Sequence, residues 1–193
     1  MLKKIERAQQ LLKKEAVVFR CPTCHEPMHL EGVGLICQQR HQFDLSKKGT
    51  LYFLNHGVQT EYNKKMFTSR GKMIQSGMYA PVLNKIMHYL PQNKTVVDVG
   101  CGEGSFLAEL SQAGLSGLKI GFDLSKEGIY LASNQPIDAF WCVADLTNLP
   151  FANEGLDTIL NIFSPSHYQE FQRVLKADGT VIKIIPEENY LKE

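Results

Sequence analysis

The chain has 193 residues, 44% hydrophobic and 21% charged, a composition typical of a globular protein of one or two modest domains. No apolar run approaches the roughly 20 residues that cross a bilayer, and the lysine-rich N-terminus lacks a signal-peptide core. No membrane partner is expected, and the expected compartment is the cytosol. The net charge of +1 hides an asymmetry: residues 1–94 carry 15 Lys/Arg against 6 Asp/Glu, and residues 95–193 carry 6 against 14. A +9 half beside a −8 half points to phosphate contact by the first, although solvated surface lysines give the same count.

Taken in chain order, residues 1–16 have the apolar spacing of a short amphipathic helix (Leu2, Ile5, Leu11, Leu12). Residues 18–55 form a ligand-rich module with strand-like pieces at Met28–Glu31, Gly34–Ile36 and Thr50–Leu54. Residues 57–80 are polar and basic, a linker running into a helix over Pro81–Leu90. Strands then alternate with helices. Strands are expected at 95–99, 118–122, 139–143, 156–163 and 180–185, and helices at 105–113, 126–134 and 167–174. Repeated βα units imply a parallel sheet with right-handed crossovers and helices on both faces. The expected fold class is α/β, a Rossmann-like domain over residues 57–193 preceded by a small metal-binding ribbon over residues 1–56.

Cys21-Pro-Thr-Cys24 and Cys37-Gln-Gln-Arg-His41 are two short turns separated by twelve residues. Three thiolates and one imidazole complete a closed tetrahedral shell, the chemistry of a structural zinc site. A redox C-x-x-C reads less well, because Pro27 and the turn residues around it do not open a helix. His25 and His29 read as surface residues. In a cytosolic chain the five cysteines are ligands or free thiols. Cys101 and Cys142 read as small buried residues rather than nucleophiles.

Asp98-Val-Gly100-Cys-Gly102-Glu103-Gly104 lies between an expected strand and an expected helix. The glycines permit a tight turn and close backbone approach to a ligand. The spacing G-x-G-x-G with an acid two residues before it, in place of G-x-G-x-x-G, suits a ligand without phosphates: S-adenosylmethionine, with its amine, carboxylate and sulfonium. Asp123 ends the second strand of this half, where an acid accepts from ribose hydroxyls. Asp145 and Leu146 follow the third, within reach of an adenine. The competing reading of these acids is as helix N-caps.

On these residues the chain resembles the bacterial 23S rRNA guanine-N1 methyltransferases, a group linked to macrolide resistance or sensitivity. The resemblance covers essentially the whole chain. It is carried by Cys21-Pro-x-Cys24 with Cys37-x3-His41-Gln-Phe-Asp44, by Arg70 through Gly77-x-Tyr79-x-Pro81, by Asp98 to Gly104 and by Leu149-Pro-Phe151. It implies a Cys3His zinc ribbon that helps bind an rRNA hairpin and a class I methyltransferase domain, usually in a homodimer. The target it implies is N1 of a guanine in hairpin 35 of domain II.

By position, Tyr79 and the glycine turn would contact the cofactor, and a family histidine near the last cofactor contact falls at Tyr190. Asn161 and Ser164-Pro165 occupy the fourth strand end, by the cofactor and the substrate pocket. Tyr79 and Phe163 are the aromatics available to receive a base, with core packing the favoured role for Phe163. No residue is assigned as a general base. Family members continue for several dozen residues, so the resemblance implies that the domain is C-terminally incomplete. The alternatives are a methyltransferase acting on another RNA, a protein or a small molecule, and an inactive cofactor- or RNA-binding fragment.

Overall fold

In the computed structural model, residues 2–55, 57, 58 and 61–187 are described. Helix α1 (Lys4–Glu15) leads through a 3-10 turn (Ala16–Val18) into an antiparallel ribbon of β1 (Met28–Glu31), β2 (Gly34–Cys37) and β3 (Gln42–Asp44). Then come β4 (Thr50–Tyr52), α2 (Lys64–Gln75), α3 (Ala80–Tyr89), β5 (Val96–Val99), α4 (Ser105–Gln112) and β6 (Lys119–Asp123). The chain continues with α5 (Lys126–Ala132), β7 (Phe140–Val143), β8 (Leu156–Ile162), α6 (Tyr168–Val174) and β9 (Leu175–Ile184). None of the described helices is long and apolar enough to cross a membrane.

The larger sheet has the order β4-β7-β6-β5-β8-β9, and every pairing in it is parallel. All four residues of β5 and all seven of β8 are buried, as expected of strands covered on both faces. The strand order reverses at β5. Loops leaving β5 and β8 therefore part in opposite directions and open a crevice at the carboxyl edge of the sheet.

Two segments depart from the sequence reading. Thr50–Tyr52, expected among the ribbon strands, pairs instead with β7, from Thr50↔Trp141 to Tyr52↔Val143, and forms the outer strand of the large sheet. The expected linker 57–80 contains the three-turn helix α2, capped by the Asn63 side chain accepting from the Met66 N–H. Its buried stripe is only Phe67, Gly71 and Ile74, too thin a stripe to stand out among Lys64, Lys65, Arg70 and Lys72.

The ribbon does not stand apart from the sheet. Phe19, just before the first metal-ligand turn, is 2% exposed. Its ring lies 5.2 Å from Phe140, 5.8 Å from Phe151 and 5.9 Å from Phe53. One apolar cluster runs from Ala8 and Leu12 of α1 through Phe19, Met28 and Leu35 to Phe122, Phe140 and Phe151. Backbone bonds reinforce it: the Arg20 N–H donates to the Pro150 carbonyl and the Ala152 N–H to the Val18 carbonyl. The Lys4 ammonium donates to the Ser133 carbonyl at the end of α5, where a cation meets the negative end of a helix. Phe19→Ala should therefore cost about 3–5 kcal/mol and lower a single melting transition followed by both far-ultraviolet dichroism and tryptophan fluorescence. Two separate transitions would contradict the shared core.

Candidate active site and metal centre

The donor atoms of Cys21, Cys24, Cys37 and His41 all lie within 4.8 Å of one another. His41 Nδ1 is 3.5 Å from both Cys21 Sγ and Cys37 Sγ, and Cys24 Sγ is 3.5 Å from Cys37 Sγ. A tetrahedral ion with Zn–S bonds near 2.3 Å places its sulfurs roughly 3.8 Å apart, so a cluster of this size and donor chemistry suits zinc. Each turn closes on the carbonyl of its first cysteine. The His25 N–H donates to the Cys21 carbonyl and the Arg40 N–H to the Cys37 carbonyl, and His25 and Arg40 both take φ +64°. His25 and His29 are exposed and stand outside the cluster, as expected.

At the crevice, β5 ends in the turn that holds Gly100, Gly102 and Gly104, all at positive φ. A Cβ on Gly100 would lie 2.7 Å from the Ser164 Cβ, and one on Gly102 would lie 2.3 Å from Arg70 Nη1. These glycines let the β8 loop and α2 close on the turn from two sides. Asp123 Oδ2 accepts from the Gly102 N–H at 2.8 Å and Oδ1 from the Ser125 N–H at 2.7 Å. The acid at the end of β6 is thus tied to the turn and to the start of α5. Burial raises its pKa, opposed by those backbone bonds and by Arg70.

Asp98, 2% exposed, has Oδ2 without a hydrogen-bond partner among the described residues. Burial pushes its pKa up to about 7, with Arg70 opposing and Glu103 and Asp123 adding to the rise. Glu103 is 5% exposed, and neither carboxylate oxygen has a hydrogen-bond partner among the described residues. Among the described residues its ion-pair partner is Arg70, with Nη1 at 3.5 Å from Oε2. Orphaned buried carboxylates beside a backbone cradle fit the amine and hydroxyls of S-adenosylmethionine.

Asp145 is half-buried, and its Oδ1 accepts from the N–H and hydroxyl of Thr147. Leu146 packs on the main apolar cluster. Asn161 is fully buried, and its side chain is spent on the next loop: Nδ2 donates to the Ser164 and Pro165 carbonyls and Oδ1 accepts from Ser166 Oγ. These bonds fix the loop that follows β8. Tyr190 lies outside the described residues. Burial pushes the Cys101 and Cys142 thiols upward, the chemistry of inert packing residues.

A pocket of about 260 Å³ adjoins the turn, lined by Arg70, Met73, Ile74, Tyr79, Phe106, Phe163 and Pro186. Tyr79 packs edge-on against Phe106 at 5.3 Å and lies 5.8 Å from Phe163. Phe163, for which core packing was favoured, is 41% exposed and holds φ +52°. A bulky residue in that backbone region is strained. The strain arises where the chain turns off β8 toward the Asn161-bound loop. Arg70, to which the sequence reading gave no role, is the other surprise; its only signal there was its place in the segment leading to Tyr79.

Residues 19–55 match the family model described as "RlmA, N-terminal", and residues 96–179 match that of a "Methyltransferase domain". YxjB of Bacillus subtilis (strain 168), named as a 23S rRNA (guanine-N(1)-)-methyltransferase, is 42% identical over 188 residues, covering 91% of this chain and 67% of its own. The chain belongs to the 23S rRNA (guanine-N1)-methyltransferase family. The 23S rRNA (guanine(748)-N(1))-methyltransferase of Streptomyces fradiae is 27% identical, over 94% of this chain and 68% of its own. In fold, the chain resembles an S-adenosyl-L-methionine-dependent methyltransferase of Methanococcus maripaludis (TM-score 0.55, 19% identity, 65% of this chain and 66% of that one). In this family member the Cys3His cluster and the glycine turn are therefore the expected metal and cofactor sites.

Elemental analysis should find one zinc per chain. Cys37→Ser should abolish it and lower the melting temperature of the whole chain, because the ribbon shares its core with the sheet. Cofactor affinity should depend on pH through Asp98. Its pKa is raised from the ordinary 3.8 to about 7. In the unliganded protein the stability this confers is complete below 3.8 and is lost as pH rises through 7. A cationic ligand favours the ionised form, so binding below pH 7 must expel a proton. Affinity for S-adenosylmethionine should fall up to about tenfold per pH unit below 7 and level off just above it, before the ligand's own α-ammonium titrates near pH 8, as read by calorimetry between pH 5.5 and 7.5. A flat profile would contradict this.

Proposed function

We propose that this chain transfers the methyl group of S-adenosylmethionine to N1 of a guanine in 23S rRNA, in hairpin 35 of domain II. The observation that carries the proposal is the junction of two features in one crevice. The acid-lined glycine turn suits the cofactor, and the Tyr79–Phe106–Phe163 pocket beside it suits a planar base. Under this reading Asp123 holds the ribose, Asp145 and Leu146 lie at the adenine, and Asp98, Gly100, Gly102, Glu103 and Gly104 hold the methionine part. The cofactor supplies an electrophilic methyl on a sulfonium.

Guanine N1 carries a proton at neutral pH and is a poor nucleophile. The protein's contribution is to present it in line, in a dry pocket, as the proton leaves. A base inside a helix cannot reach this depth, so the nucleotide must be splayed from its stack and received on aromatic faces. Phe163 is placed for that, since half-exposed and strained aromatics at a crevice are not core packing. The exposed Lys64, Lys65 and Lys72 of α2, a helix with no acidic residue, sit beside the crevice and suit the phosphates of the flanking strand. Lys13, Lys14, Arg40 and Lys47 extend positive charge over the ribbon side. The homodimer implied by the family resemblance and a cytoplasmic location, where ribosomal RNA is at hand, belong to the same proposal.

The deciding experiment is methyl transfer from labelled S-adenosylmethionine to 23S rRNA from a methylation-deficient strain, with N1-methylguanine identified by mass spectrometry. Label on protein or small molecules but not on RNA would overturn the reading. Phe163→Ala should lower kcat/KM about 10- to 100-fold, because base–aromatic stacking contributes about 1–3 kcal/mol, and should leave cofactor binding nearly unchanged. Hairpin affinity should fall steeply with salt, and charge-removing changes at Lys64, Lys65 and Lys72 should reduce that slope.

A further inference from the structure

Asp98, Glu103 and Asp123 put three carboxylates around one turn, and they are not equally satisfied. Asp123 is bonded through both oxygens to backbone N–H groups. Asp98 Oδ2 and both Glu103 oxygens are buried with no hydrogen bond among the described residues. Among the described residues, the cation that bears on both Asp98 and Asp123 is Arg70. It pairs with Glu103 at 3.5 Å, an ion pair without a hydrogen bond, and its side chain is 28% exposed. The guanidinium lies 5.5 Å from the centre of the Phe106 ring, borders the aromatic pocket and presses on Gly102.

This position matters for a ligand that carries a carboxylate of its own. The α-ammonium and sulfonium of S-adenosylmethionine are drawn to the acids, but its α-carboxylate enters a site already lined by three acids. It is repelled unless a cation meets it. The ribose belongs at Asp123 and the methyl group must face the aromatic pocket. The methionine part therefore runs along the stretch of turn that Arg70 covers.

On the reading of the crevice as a cofactor site, we propose that Arg70 is the receptor for the cofactor's α-carboxylate. It exchanges the long Glu103 pair for a bidentate one and so clamps α2 over the bound molecule. Glu103 and Asp98 are then left to the α-ammonium. Arg70 is a binding and positioning residue, and the cofactor's carboxylate is what it recognises.

The test uses the full chain and two ligands, S-adenosylmethionine and its decarboxylated analogue, which keeps the amine and the sulfonium, measured by calorimetry at pH 8. The wild type should bind S-adenosylmethionine about 10- to 100-fold more tightly than the analogue. Arg70→Met should remove that preference by weakening S-adenosylmethionine alone, and Arg70→Lys should restore part of it. Dichroism and melting temperature establish that each variant is folded. Equal binding of both ligands by the wild type, or equal weakening of both by Arg70→Met, would overturn the assignment of Arg70 and leave the cofactor site standing. Binding of neither ligand by the wild type would instead overturn the cofactor reading and this proposal with it.

Discussion

The arrangement turns on the burial of three carboxylates within one turn of backbone. A buried, unpaired charge costs several kcal/mol, so each acid needs its own relief. Asp123 is held by the N–H groups of Gly102 and Ser125. Asp98 keeps its proton to about pH 7. Glu103 faces Arg70. These three solutions dictate the surroundings: glycines where neighbours must come close, a cation on the helix above and no acid along α2. A protein selected for stability alone would not gather such groups, and their cost is the mark of a site built for a cationic ligand.

The ribbon and the sheet depend on each other in a more ordinary way. The metal cluster organises two turns, but Phe19 and Met28 of the ribbon point into the core of the larger sheet, and β4 adds a strand to it. Part of the apolar surface that a small ribbon cannot bury within itself is buried against its neighbour.

Much of this was legible in the residues. The ligand spacing of Cys21 to His41 dictates its own geometry, and the βα alternation after Thr95 is strong because those strands are buried on both faces. The glycine turn and Asp123 also lie where their spacing puts them. What was not legible depends on tertiary contact. Strand β4 reads as a strand, but its partner β7 lies some ninety residues away, and nothing in three residues says which sheet it joins. Helix α2 buries one phenylalanine, one glycine and one isoleucine, so its polar face masks its periodicity. Arg70 is one basic residue among many until α2 sets it over Gly102. The hydrogen bonds of Asn161 to the loop after β8 also depend on tertiary contact. Phe163 reads as core because it follows seven buried strand residues, but the chain turns there and φ +52° swings the ring outward.

The shared core around Phe19 has a consequence for descent. A metal-binding module joined by a flexible tether can be lost, duplicated or traded between genes with little harm to its neighbour. Here the first ninety residues supply the outer strand of the sheet, a plug of aromatic core and the helix over the glycine turn. Recombination at the apparent boundary would open the catalytic half, so the two parts can be inherited only together, and changes at Phe19, Phe53, Phe140 and Phe151 must keep pace with one another.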